Sequence, residues 1–200
     1  MFWDAIAQEY DPNLDNSQQR KLLLDHLRGA LEGLEIGSVT DVGSGTGAVV
    51  KELFDKKTRI TAIEPSLQMM SLLKNNLRGY NYEPIYAFAE IAEYAYSDLL
   101  LFSLSINWLS DPTLVLTRSL VPGPKYVLIA RQKVSHRSNL GAGSAHRAQI
   151  QSAYKVVDEK QILFKAHYTL LRERKERMPR LDGSLSADTL ITRLYSKQVS

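Results

Sequence analysis

Cysteine is absent from this 200-residue chain. Its absence excludes disulfide bonds, thiolate metal sites and any mechanism that needs a cysteine nucleophile. Long apolar runs are also absent, because the longest one, around residues 99–109, is interrupted by serines and Asn107. No segment therefore reaches the roughly 18–20 apolar residues that a membrane span needs. The first residues lack a basic stretch followed by an apolar block, so we expect no secretory signal and a cytoplasmic protein.

Patterns typical of metal sites are missing as well. The chain has no H-x-x-x-H pair and no closely spaced acids of the D-x-D kind, so we expect no metal site. What is present is ordinary for a globular protein, with 44% hydrophobic and 24% charged residues. The length suits one domain, and neither an internal repeat nor a long linker divides it.

The charge is unevenly distributed along the chain. The net charge is +3, yet residues 131–180 hold twelve Lys or Arg against four acids. Such an asymmetry suggests an acidic partner, for which RNA is the candidate, or else a solvated surface.

A strand followed by a glycine loop is the most informative stretch. Val39 to Val42 predict a short strand, Gly43, Gly45 and Gly47 a tight turn, and residues 48–54 a helix. Glycines allow a sharp turn and the close approach of a ligand, and the helix that follows offers free N–H groups. This arrangement forms the nucleotide-binding corner of an open α/β sheet.

Two acids extend this interpretation. Asp41 ends the first strand, where a carboxylate can meet an ammonium group of a ligand. Glu64 ends the second strand, Arg59 to Glu64, where it can accept hydrogen bonds from both hydroxyls of a ribose.

The segments DVGSGTG (41–47) and IEPSLQMM (63–70) resemble those of the class I S-adenosylmethionine-dependent methyltransferases. The resemblance covers roughly residues 1–130. It implies a doubly wound, Rossmann-like α/β fold with seven mostly parallel strands, helices on both faces and an antiparallel last strand. It divides one domain, 1–200, into N-terminal helices (1–37), a cofactor-binding half (38–131) and a substrate-side half (132–200).

The resemblance also implies the cofactor, S-adenosylmethionine, and its contacts. In the family, the residues that follow the ribose-binding acid touch the adenine. A polar residue after the third strand accepts a hydrogen bond from the adenine amino group, and Glu90 is the candidate for that role here. The expected cofactor contacts are Asp41, Gly43, Ser44, Gly45, Gly47, Glu64, Pro65, Ser66, Ala89, Glu90 and Ser103.

The substrate side is expected to involve residues from three places in the chain. Tyr10, in a W-x-x-x-A-x-x-Y-D opening typical of small-molecule enzymes of this family, could cover the cofactor or simply pack onto the domain. Asn107 and Trp108 follow the fourth strand, where open α/β sheets bind ligands. His136 and His146 are candidate general bases, or else surface loop residues.

The second half of the chain is less clearly patterned. We predict a helix over 145–157, a strand over Gln161–Leu171 that continues into the basic run 172–180, and a helix or strand over 185–195.

Four functions remain open on the sequence alone. A methyltransferase acting on a small molecule is favoured, and an RNA methyltransferase using residues 131–180 is the alternative. A nicotinamide oxidoreductase matches the G-x-G-x-x-A spacing of residues 43–48 but leaves Asp41 without a role. A non-catalytic relative that steadies a partner would keep the same pocket.

Overall fold

The structure is a computed structural model that describes residues 3–5, 7, 18–133, 157–179 and 185–198. Five helices of more than one turn lie in this part of the chain: α1 Gln18–Leu31, α2 Ala48–Leu53, α3 Leu67–Asn76, α4 Pro112–Ser119 and α5 Glu159–Lys165. A short 3₁₀ turn covers Ile106–Trp108. The strands are β1 Ser38–Val42, β2 Arg59–Ile63, β3 Tyr82–Ile85, β4 Leu99–Ser103, β5 Tyr126–Lys133, β6 Tyr168–Pro179 and β7 Leu185–Lys197.

The seven strands form one sheet in the order β3-β2-β1-β4-β5-β7-β6. Strands β1 to β5 are parallel, and β7 runs antiparallel to both of its neighbours, β5 and β6. The seven-stranded, mostly parallel sheet predicted from the sequence is confirmed. This order departs from the 3-2-1-4-5-6 arrangement of dinucleotide-binding folds, which weakens the oxidoreductase interpretation.

Helices cover both faces of the sheet. On one face, α1, α2 and α3 bury apolar side chains such as Leu27, Val50 and Leu73 against β1 and β4. On the other face, α4 and α5 bury Leu116 and Leu163 against alternate residues of the same strands. Strands β1 and β4 are buried almost throughout, as expected for parallel strands covered on both sides. No helix in the described ranges is both long and apolar enough to cross a bilayer.

The prediction of a strand over Gln161–Leu171 is wrong for the first half of that range. Asp158 accepts a hydrogen bond from the Gln161 backbone N–H at 3.1 Å and begins α5, so that residues 159–165 are helical. The strand starts only at Tyr168 and runs through the basic stretch to Pro179. Residues 185–195, which the sequence left as helix or strand, belong to β7.

Gly47 has a structural role at the start of α2. Its φ of +73° lies in the left-handed region, and an added Cβ would lie 3.1 Å from Leu73 Cγ and 3.2 Å from Leu77 Cγ. A side chain here would therefore require Leu73 and Leu77 to shift by a few tenths of an ångström, in addition to the left-handed strain.

We expect Gly47→Ala to destabilise the fold by about 2–4 kcal/mol, from left-handed strain and overpacking. Gly29→Ala is the matched control, because Gly29 lies within α1 and an added Cβ would meet nothing within 4 Å. That control should raise stability by up to about 1 kcal/mol through its higher helix propensity. Urea unfolding measures both changes, and equal stabilities for the two variants would contradict this account of Gly47.

Candidate functional site

The carboxyl ends of β1, β2, β4 and β5 meet at one edge of the sheet, and the glycine loop lies there. The backbone N–H groups of Gly43 and Ser44 both donate to the carbonyl oxygen of Ile63, at 2.9 and 3.1 Å. Gly43 has a φ of +72°, and a Cβ on it would lie 2.6 Å from the Cβ of Ser105. The Ser105 hydroxyl in turn donates to the carbonyl of Val42. The loop is thus fixed against both β2 and the turn after β4.

Glu64 connects the glycine loop to the start of α3. One carboxylate oxygen accepts from the Gly45 N–H at 2.9 Å, and the other from the Ser66 N–H at 2.8 Å. The side chain is buried, and burial raises its pKa against the opposing effect of these two hydrogen bonds. Each carboxylate oxygen has a second lone pair, so this geometry leaves room for the ribose hydroxyls expected from the sequence.

Asp41 is the most strongly perturbed acid at this edge. It is 2% exposed, and its Oδ1 has no hydrogen-bond partner. Burial raises the pKa of Asp41 to about 7; the nearby charge of Glu64 adds to this effect and the Ser44 hydroxyl opposes it. A buried carboxylate oxygen without a donor is suited to a ligand that brings its own N–H groups.

Two cavities open beside these acids. The larger, of about 420 Å³, has Glu64, Pro65 and Met69 on one side and Asn107 and Trp108 on the other. The smaller, of about 160 Å³, lies between the glycine loop and the start of α1, and Asp41, Ser44 and Arg20 line it. Both are lined by Gly43, Gly45, Ser103, Leu104 and Gln132, so these five residues mark the junction of the two cavities.

The junction contains a strained residue and an orphaned hydroxyl. Leu104 adopts a φ of 61°, which costs a side-chain-bearing residue of order 1–2 kcal/mol. Its N–H donates to the Ala130 carbonyl at 2.8 Å, which fixes the turn against β5. Next to it, the buried Oγ of Ser103 has no hydrogen-bond partner. Backbone strain of this kind concentrates at functional sites.

Two tryptophans, the only two in the sequence, lie on the wall of the larger cavity. The rings of Trp3 and Trp108 meet edge to face, with centroids 5.7 Å apart and planes at 90°. Asp4 accepts from the Ser66 hydroxyl at 2.6 Å and from the Gln68 N–H at 3.2 Å. These contacts hold the beginning of the chain against α3 and against the turn after β4.

Most of the site residues expected from the sequence line the cavities. Of the expected cofactor contacts, the lining includes Asp41, Gly43, Ser44, Gly45, Glu64, Pro65, Ala89, Glu90 and Ser103, together with the substrate-side residues Asn107 and Trp108. Gly47 and Ser66 do not line them. Ser66 is fully buried as the N-cap of α3, where it accepts from the Met69 N–H.

Glu90 has a structural partner at this edge. Its Oε1 accepts from the backbone N–H groups of Ser110 and Asp111, at 2.7 and 3.1 Å. A role towards adenine would therefore use the other carboxylate oxygen, and that role stays a prediction.

Three predicted residues, Tyr10, His136 and His146, lie outside the described residues. Conversely, no sequence pattern pointed to several lining residues that come from distant parts of the chain: Gln19, Arg20, Phe88, Gln132 and Met178. In the described ranges, no group of three or more His, Asp or Glu side chains could hold a metal ion.

Comparisons with known proteins agree with this architecture. Residues 40–121 match a family model described as a methyltransferase domain. The N-methyltransferase NodS of Bradyrhizobium japonicum, crystallised with S-adenosylhomocysteine, superposes with a TM-score of 0.68 at 15% identity, covering 93% of this chain and 91% of that chain. A search of curated proteins finds no significant sequence match.

Two further solved structures are also similar to this chain. One is the structure of a complex between the Haloferax volcanii Trm112 methyltransferase activator and a candidate methyltransferase. It has a TM-score of 0.66 at 15% identity, and the match covers 99% of this chain and 97% of that chain. A candidate RNA methyltransferase of Pyrococcus horikoshii has a TM-score of 0.58 at 15% identity, with 90% and 84% coverage.

The chain thus contains a methyltransferase domain over residues 40–121, and its cofactor is S-adenosylmethionine. The residues present fit that cofactor. Asp41 offers a buried carboxylate oxygen to an ammonium group, Glu64 offers lone pairs to hydroxyls, and an added Cβ on Gly45 would meet nothing within 4 Å.

We expect cofactor binding to depend on the ionisation of Asp41. Its pKa of about 7 lies above the ordinary 3.8, so the folded protein without cofactor holds a proton that the unfolded chain has lost. Stability without cofactor should therefore fall, by up to about 4 kcal/mol, as the pH rises from 4 through 7. Asp41→Asn should remove this dependence of stability on pH in unfolding experiments. Asp25→Asn, at an exposed position of α1, should keep it.

The affinity for S-adenosylhomocysteine should follow the opposite trend. Its ammonium group pairs with the ionised form of Asp41, so the dissociation constant should rise as the pH falls below about 7, by up to roughly tenfold per pH unit. Calorimetric titration at pH 6, 7 and 8 measures this effect. A pH-independent constant would remove Asp41 from the ammonium-binding role.

We expect Gly45→Ala to weaken cofactor binding at least tenfold, because its Cβ would point into the open space of the cavity. Gly33→Ala is the matched control, since Gly33 also has a positive φ and open space but lies after α1, outside both cavities. Both variants should lose about 1–2 kcal/mol of stability from left-handed strain. If both bind S-adenosylhomocysteine equally, the loop does not approach the cofactor.

Proposed function

We propose that this protein transfers a methyl group from S-adenosylmethionine to a small-molecule acceptor. The observation that carries the proposal is the character of the larger cavity. Beyond the residues expected to contact the cofactor, Trp3, Phe88 and Trp108 supply aromatic surface. None of the described residues that line this cavity is Lys or Arg. Such a lining suits a neutral or cationic small molecule and disfavours phosphate groups.

The basic stretch supports the same choice, because several of its cations have partners within the domain. Arg172 donates to the backbone carbonyls of Ala30 and Glu32, at 2.6 and 2.8 Å, where α1 ends. Arg174 pairs with Glu176 at 2.7 Å, and Lys175 with Glu173 at 2.7 Å. Arg172 thus contacts carbonyls at the end of α1, and Arg174 and Lys175 face acids of β6 itself. They are therefore less available to bind a chain of phosphates.

Within this proposal, the cavities divide the cofactor between them. Asp41 takes the ammonium group in the smaller cavity, and Arg20, on the same wall, is placed to take the carboxylate. Glu64 takes the ribose hydroxyls in the larger cavity, and Pro65 and Ala89 provide apolar surface for the base. When bound, S-adenosylmethionine supplies a methyl group already activated on a positively charged sulfur. The protein's contribution is to align the acceptor and exclude water.

An RNA acceptor is the alternative, and the similar structures include methyltransferases of both kinds. The cytoplasmic location expected from the sequence stays part of the proposal. Tyr10, His136 and His146 keep their predicted roles near the acceptor.

The deciding experiment follows labelled methyl from S-adenosylmethionine into extract of the source cell, with and without ribonuclease. We expect the label in the small-molecule fraction and no effect of the nuclease. Gly45→Ala provides the background. Label that enters RNA and is lost on nuclease treatment would contradict the proposal.

A charge-reversal variant makes the same distinction on the protein. Arg174→Glu together with Arg177→Glu changes two exposed side chains of β6. For a small-molecule acceptor we expect activity within about twofold of the unchanged protein, because exposed charges contribute little. An RNA enzyme should lose activity steeply, and more so as salt rises.

A further inference from the structure

A buried carboxylate near the junction of the two cavities has no role in the function described so far. Asp188, on β7, is 3% exposed. One of its oxygens, Oδ2, accepts a hydrogen bond from Nε2 of Gln132 at 3.1 Å. Gln132 is near the end of β5, pairs in register with Leu190, and lines both cavities. The pair therefore connects the antiparallel strand to the junction.

The hydrogen bond determines how the Gln132 amide is oriented. Nε2 of Gln132 is the donor in this hydrogen bond and Oδ2 of Asp188 the acceptor, so the amide group that faces Asp188 is the NH₂ group. The carbonyl oxygen of the amide is then on the other branch of the side chain. That oxygen is the part of the Gln132 amide that can accept a hydrogen bond.

The junction is also where the reacting centre is expected. Asp41 and Glu64 lie on different cavities, and the sulfur of the cofactor lies chemically between the amino acid and the ribose that these acids would bind. Besides Gln132, Ser103 has the only other polar side chain among the five shared residues. This step rests on the function proposed above.

We propose that Gln132, oriented by Asp188, presents its amide oxygen to the transferable methyl group and positions an amine acceptor by accepting its N–H. The acceptor nitrogen keeps its proton during transfer: its lone pair forms the N–CH₃ bond as the carbon–sulfur bond breaks towards sulfur. The ammonium product then releases a proton to water. An amide oxygen stabilises the positive charge that develops on nitrogen, and it does not need to take up a proton.

The test needs no knowledge of the natural acceptor. Sinefungin is a cofactor analogue that carries an amine at the position of the methyl group, whereas S-adenosylhomocysteine carries nothing there. We expect the unchanged protein to bind sinefungin at least about tenfold more tightly than S-adenosylhomocysteine, as one hydrogen bond to a charged group implies. Titration calorimetry measures both constants, and the fluorescence of Trp3 and Trp108 follows the same binding.

Gln132→Leu should abolish this preference, so that the two ligands bind with dissociation constants within about threefold of each other. Gln161→Leu, on an exposed position of α5, is the matched control and should keep the preference. A preference that survives in Gln132→Leu overturns the proposal.

Asp188→Asn tests the positioning role. An Asn side chain can either accept from Gln132 or donate to it, so it no longer holds the Gln132 amide in one orientation. The preference for sinefungin should then fall, whereas a purely structural Asp188 would weaken both ligands equally and overturn the positioning role. Thermal unfolding checks that the variant is folded; if it is not, Gln132→Leu still decides the role of Gln132.

The chemical class of the acceptor has its own readout. Labelled product from the small-molecule fraction should be retained by a cation exchanger at pH 7, as a methylated amine is. A labelled product without a basic nitrogen, which a cation exchanger does not retain even in acid, would overturn the amine assignment. Failure of the unchanged protein to bind S-adenosylhomocysteine at all would instead contradict the proposed function, so the two failures are distinguishable.

Discussion

The site depends on the two hydrogen bonds that the carboxylate of Glu64 accepts. It joins the glycine loop to the start of α3 through the N–H groups of Gly45 and Ser66. Both donors come from loops that would otherwise have orphaned backbone groups near a cavity, and a buried orphan of this kind costs about 1–3 kcal/mol. The same acid can therefore shape the loop before a cofactor arrives and hold the ribose afterwards.

The cofactor half of the site was predictable from the sequence because its parts lie close together along the chain. The loop, its flanking strand and the acid that ends the next strand lie within about thirty residues, and their spacing reflects local geometry. Gly43 must be glycine because Ser105 is packed against it, and Gly47 because Leu73 and Leu77 are. Such residues leave a signal in the sequence itself.

The rest of the site leaves no such signal, because it is assembled from distant segments. Arg20 and Gln132 lie more than one hundred residues apart, yet they line the same cavity. Only the placement of α1 against β5 and β7 brings them together. The error over 161–171 is different in kind: Asp158 is an ordinary N-cap, but the apolar run after it fits a short helix and a strand equally well.

Charge illustrates the same limit. A surplus of Lys and Arg in one stretch of sequence suggests a polyanion as binding partner. The sequence does not show that several of these cations pair with acids of the same domain. Arg193 is buried between Glu159 and Glu173, and Glu173 also contacts Lys160 and Lys175. These contacts lower the pKa of Glu173 to about 2, with the hydrogen bond from Lys175 as the largest cause. Lys160 and Lys175 of the basic stretch are therefore part of an ion-pair scaffold that joins α5, β6 and β7 on an exposed face of β6.

That scaffold matters for the chemistry because β7 carries Asp188, which contacts Gln132 at the junction. A parallel strand in its place would enter the sheet from the opposite edge, and its first residues would lie far from the carboxyl ends of β4 and β5. The antiparallel strand instead brings its beginning to this edge, where Asp188 reaches Gln132. Strain at Leu104 and the contact between Gly43 and Ser105 fix the facing wall. Both walls of the junction are thus set by the fold, which is the condition for aligning an acceptor without a dedicated catalytic motif.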